Sequence, residues 1–120
     1  MMTKYGFEIS RAMVSARCSD LIGQYFKILP LREANSTTIV RYMEGLLREV
    51  NGLGQLIAEF KNDGQIVSLM DILEYHIDHP DADLETVRSD VFKAIDIIKR
   101  LRRKYAKDPN DGGDPDERVG

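Results

Sequence analysis

Apolar residues recur at alternating steps of four and three residues in the middle of the chain. The positions are Ile39, Met43, Leu46, Val50, Leu53, Ile57 and Phe60. Because each residue of an α-helix turns by about 100°, this spacing places all seven on one stripe. The pattern predicts an amphipathic helix over residues 36–61, and a helix of this kind needs other helices to cover its stripe.

Three further segments have the same spacing and supply that cover. They predict helices over residues 8–29, 65–78 and 82–107, the first ending where Pro30 cannot continue it. Short connections between helices favour antiparallel neighbours. We therefore expect an all-α fold, an antiparallel up-and-down four-helix bundle that forms one domain over residues 1–107.

Glycines interrupt the central predicted helix at Gly45, Gly52 and Gly54. Each costs about 1 kcal/mol relative to alanine in a helix interior. The Asn51-Gly52 pair could be a turn, but the apolar spacing passes through it without a change of phase, which favours a continuous helix.

Two of these glycines also suggest an interaction surface. Gly45 and Gly52 are seven residues apart and share an outer face with Arg41 and Arg48. This face either marks a weak or bent helix or allows the backbone of a partner to approach closely. Arg41, Gly45, Arg48 and Gly52 are therefore candidate partner-binding residues.

Length and composition fit one intracellular domain. The chain has 120 residues, 42% of them hydrophobic and 31% charged, with a single cysteine, Cys18. No intrachain disulfide can form, which suits a reducing, cytoplasmic location. No apolar run approaches the ~18 residues of a membrane span, and no secretory signal is recognisable. We expect no membrane association.

Charge is concentrated at the carboxyl-terminal end of the sequence. Residues 99–107 carry six basic and no acidic groups, whereas residues 108–120 carry five acidic groups and one basic group. The composition of 108–120 predicts a disordered acidic tail. Arg102 and Arg103 could bind phosphates, but cations also suit the end of a helix and the acidic tail can shield them. A protein partner is favoured over nucleic acid.

The densest group of metal-ligating residue types lies between residues 71 and 83. It includes His76, Asp78 and His79, and imidazole and carboxylate are ordinary zinc, manganese or iron ligands. The spacing fits no specific metal site, and a solvated helix face accounts for it. No nucleophile elbow, phosphate loop or dinucleotide fingerprint is present. We predict no catalytic residues, no metal and no cofactor.

These observations favour a small helical protein-interaction module: an adaptor, a chaperone or a regulatory subunit. A homodimer is a further expectation, because the second and fourth predicted helices are matched in length and overhang the short third one. Two alternatives stay open. One is a metal-dependent helical enzyme that uses the His76 and His79 cluster, and the other is nucleic-acid binding through Arg102 and Arg103.

Overall fold

The computed structural model describes residues 10–106, and helices dominate this part of the chain. Helix α1 is followed by the short α2, the long α3, a single turn of 3₁₀-helix, α4 and the longest helix, α5. Their bounds are α1 Arg11–Phe26, α2 Ile28–Glu33, α3 Ile39–Leu56, the 3₁₀ turn Ala58–Phe60, α4 Gly64–Asp78 and α5 Leu84–Ala106. The predicted all-α class is confirmed. The predicted acidic tail, 108–120, lies outside the described residues.

The four long helices alternate in direction. Phe26 packs edge-on against Phe92 with ring centroids 6.2 Å apart, while Arg102 reaches back to Ser19, so α1 and α5 are antiparallel. His76 bonds to Asp90, and α4 and α5 are antiparallel as well. This is the up-and-down arrangement that short connections favour.

The first helix does not end at Pro30, and this prediction was wrong. The chain breaks earlier, at Lys27, and α2 then runs through the proline to Glu33. Pro30 is the third residue of α2, where a backbone N–H would have no partner within the helix, so the missing donor costs little. The break at Lys27 separates two helices that the sequence pattern joined.

The central helix is continuous through Asn51 and Gly54, as the apolar spacing predicts, but it ends at Leu56 rather than near residue 61. Ile57 has extended dihedral angles (φ −96°, ψ 118°), and a 3₁₀ turn follows. The change of direction brings Ile57 and Phe60 into the core, where they are 2% and 1% exposed.

The helix lengths in the structure leave little overhang of the central helix beyond α4, whereas α5 still exceeds α4 by eight residues. Helix α3 has 18 residues, α4 has 15 and α5 has 23. The second and fourth long helices are therefore not matched, and α3 exceeds α4 by only three residues. Most of the central stripe is buried within this chain: Ile39, Met43, Leu46, Val50, Ile57 and Phe60.

Polar contacts inside the bundle fix how the helices meet. The buried Tyr25 hydroxyl of α1 donates to the Leu69 carbonyl of α4 at 3.0 Å. Asp63 caps α4 by accepting from the Gln65 N–H at 2.8 Å.

None of the helices in the described part of the chain combines the length and the apolar character that crossing a bilayer requires.

Candidate functional site: the groove between α1 and α3

Within residues 10–106, the bundle is closed on three sides and open on the fourth. Close backbone contact joins α1 to α5, α5 to α4 and α4 to α3, whereas α1 and α3 stay farther apart. A groove runs along this fourth side. We call it the α1–α3 groove. It is formed by one face of α1 from Met13 onward, with Lys27 directly after the helix, and by one face of α3 from Arg41 to Leu56, together with Ile57.

The wider part of the groove lies between the start of α1 and the end of α3. It has a volume of about 760 Å³. Val14 and Leu21 on its floor are buried, but Met13 and Leu56 at its edge are 60% and 37% exposed. Exposed apolar side chains beside a concave apolar floor are typical of an interaction surface.

The narrower part continues toward the end of α1, with a volume of about 620 Å³. It is lined by Gly23 of α1, by Lys27 directly after α1, and by Arg41, Tyr42 and Gly45 from α3. Asp20 and Glu49 line both parts. The two parts therefore adjoin along the same side of the bundle.

Small residues face this groove from both helices. Ala16 and Gly23 are seven residues apart on α1, and Gly45 and Gly52 are seven apart on α3. A Cβ built at Gly23 or Gly52 would meet no atom within 4 Å, and at Gly45 it would meet only the Arg48 guanidinium, at 3.9 Å. Packing inside the chain therefore does not require a glycine at these positions.

Long polar side chains span the groove. Glu49 lies 3.8 Å from an Arg17 guanidinium nitrogen and accepts a 3.5 Å hydrogen bond from the Gln24 amide. These contacts are partly exposed, and an exposed ion pair contributes at most about 1 kcal/mol. They can open without a large cost.

Tyr42 holds the two helices together at the narrow end. Its hydroxyl donates to the Gln24 carbonyl at 2.8 Å, and the Lys27 ammonium lies 5.9 Å from the centre of its ring. Burial, and after it the negative charge of Glu49, raise the pKa of the Tyr42 hydroxyl, so the phenol stays a neutral donor.

The structure places four of the candidate partner-binding residues in the α1–α3 groove. Arg48 and Gly52 line its wide part, and Arg41 and Gly45 line its narrow part. The side of the helix that the glycine spacing identified is therefore the side on which the bundle is open.

The other two candidates, Arg102 and Arg103, lie on α5 and do not join the groove. Both are half-buried, and an Arg102 guanidinium nitrogen is 3.4 Å from the Ser19 hydroxyl. The neighbouring Lys104 ammonium lies 3.1 Å from an Asp63 carboxylate oxygen. Part of the basic end of the sequence is thus occupied by contacts between helices.

The two histidines among the candidate metal ligands, His76 and His79, make different polar contacts. His76 is 5% exposed, and its Nε2 lies 2.7 Å from an Asp90 oxygen on α5. His79 Nδ1 donates to the Tyr75 carbonyl at 2.8 Å, and the ring stacks on Tyr75. Within residues 10–106, no three His, Cys, Asp or Glu side chains are placed to hold a metal ion together. Asp78 is exposed at the end of α4.

The sequence reasoning missed the α1 side of the groove and the end of α3 that borders it. Met13, Gly23 and Leu56 were not among the candidates, although all three line it. The spacing of Ala16 and Gly23 repeats the spacing of Gly45 and Gly52. Two helices with small residues at the same interval were a signal that they face one another across a gap.

Comparison of the sequence with protein-family models, with curated proteins and with solved structures found no match.

Proposed function

We propose that this protein acts by binding another protein, and that the α1–α3 groove receives an apolar helical segment of the partner. The observation that carries this proposal is the open fourth side of the bundle. It exposes Met13 and Leu56 above a buried apolar floor. An amphipathic helix laid into an apolar groove is a common way for helical proteins to recognise a partner.

The glycines give this proposal its second support. Gly45 and Gly52 each weaken α3 by about 1 kcal/mol relative to alanine, and no neighbour inside the chain prevents an alanine at Gly52. A helix packing across the groove would approach most closely where side chains are absent. The cost to α3 is then offset by contact with the partner.

A role as adaptor, chaperone or regulatory subunit suits such a groove, and it uses neither a metal nor a cofactor. We also propose a reducing, cytoplasmic location. Cys18 is a free, buried thiol, and burial raises its pKa to about 11, opposed in part by the charge of Arg102. A thiol of this kind packs as a small apolar group.

Site-specific photo-crosslinking in the source cells tests the proposal. A photoreactive amino acid replaces Leu56, which lines the groove, or Val67, which is 51% exposed on α4. Both are exposed aliphatic residues on helices, so Val67 is a matched control. We expect a discrete protein adduct from position 56, competed by excess unmodified protein, and no such adduct from position 67. Identical adducts at both positions, or none at position 56, would contradict the proposal.

A further inference from the structure

The α1–α3 groove carries a charge opposite to that of the rest of the chain. Its lining includes four basic residues and two acidic ones: Arg17, Lys27, Arg41 and Arg48 against Asp20 and Glu49. Four minus two gives +2, whereas the whole chain has a formal net charge of −3. The remainder of the chain therefore carries −5, and the groove is a basic surface on an acidic protein.

Most of this positive charge is available to a partner. Lys27, Arg41 and Arg48 are exposed, and within residues 10–106 they form no ion pair. Arg17 is the exception, because it shares Glu49 with Gln24. Arg41 and Arg48 flank the glycines of α3 and so lie beside the path that a bound backbone would follow.

The groove has the length of a short helix. Along α1 it extends from Met13 to Lys27, and 14 steps of about 1.5 Å give about 21 Å. About four helical turns of a partner fit this distance. The apolar floor and exposed edge are concentrated at the Met13 end, whereas Lys27 and Arg41 lie at the other end.

We infer that the partner segment is an amphipathic helix of about four turns with Asp or Glu beside its apolar stripe. Its apolar side chains contact Met13, Leu53 and Leu56, and its carboxylates lie near Arg41 and Arg48. Opposite charges at the rim of an interface select the partner and speed its association. This inference rests on the proposed function and adds the chemical class of the partner.

Two synthetic helical peptides with one apolar stripe test the inference. One has glutamates beside the stripe and the other has lysines, and each is titrated with the full chain by fluorescence anisotropy. Several exposed ion pairs, each modest on its own, should make the glutamate peptide bind about tenfold more tightly. The preference should weaken as salt rises.

Charge reversal supplies the matched control. The double variant Arg41→Glu, Arg48→Glu should reverse the preference, while Arg88→Glu should leave it unchanged, because Arg88 lies on α5 and faces Glu33 at 3.7 Å. Equal binding of both peptides, or a preference insensitive to the double variant, would overturn the inference and leave the proposed function standing. Failure of both peptides to bind would overturn the proposed function as well.

Discussion

Two glycines of α3 that are only two residues apart should respond oppositely to alanine. Gly52 faces the groove, and a Cβ there meets nothing within 4 Å. Since alanine is better than glycine in a helix interior, Gly52→Ala should stabilise the fold by about 0.5–1 kcal/mol. Gly54 faces α4, and its Cβ would lie 3.0 Å from the Ile66 Cγ2.

That contact at Gly54 is shorter than the optimal carbon separation of about 3.5–4.0 Å. Ile66 is 3% exposed and is held by the core, so it has little room to yield. Overpacking costs about 1–3 kcal/mol. Replacing glycine with alanine in a helix interior stabilises the helix by about 0.5–1 kcal/mol, which offsets only part of that cost. We therefore expect Gly54→Ala to destabilise the protein by about 1 kcal/mol.

Urea unfolding followed by circular dichroism measures the stability of both variants. If the free energy of unfolding depends on urea concentration with the same slope as in the parent, the variants differ in stability alone. The two variants should differ by more than about 1 kcal/mol in the free energy of unfolding. If both variants were stabilised equally, the close packing of α3 on α4 would be wrong, and if both were destabilised equally, the openness of the groove side would be wrong.

Two further predictions concern buried titratable groups. Burial works to raise the pKa of Asp63, but hydrogen bonds from Tyr105, the Gln65 N–H and Lys104 outweigh it and lower the pKa below 3.8. Because the folded-state pKa is lowered, this stabilisation is present above about pH 4 and is lost as the pH falls through the folded value. Asp63→Asn should therefore lower the free energy of unfolding by about 1–2 kcal/mol at neutral pH. Thermal unfolding should show that the difference in stability between the variant and the parent decreases at more acidic pH. The same difference at every pH would refute this prediction. Cys18 is 0% exposed with its pKa raised to about 11, so a thiol reagent at pH 8 should label it only as fast as the chain unfolds, and labelling at the rate of a free thiol would contradict its burial.

Apolar spacing predicted the helices because burial on one face follows directly from it. Val50 and Met43 are buried as their positions on the stripe require. The spacing could not locate the end of α3, because Ile57 and Phe60 are buried whether the chain continues as a helix or turns into the core. The end of the first helix was predicted wrongly at Pro30 for a related reason. Whether a proline ends one helix or lies in the first turn of the next depends on where the chain breaks.

The groove depends on the distance between two helices, which no single-helix pattern contains. Gly45 and Gly52 indicated the face of α3 that borders the groove, but not that α1 lies opposite it. The same limit applies to His76 and His79. Their spacing allowed a shared metal ion, but a contact between helices directs His76 to Asp90, and a local contact one turn back along α4 directs His79 to Tyr75.

Filling the groove without disturbing the fold is the most direct test of its role. In Gly52→Leu the new side chain begins at a Cβ position with no atom of the described residues within 4 Å, and leucine is a good helix former. The free energy of unfolding should stay at or above that of the parent, while affinity for the glutamate peptide should fall at least about tenfold because the side chain occupies the partner's place. Unchanged affinity in a stably folded Gly52→Leu protein would contradict the claim that the α1–α3 groove is the binding site.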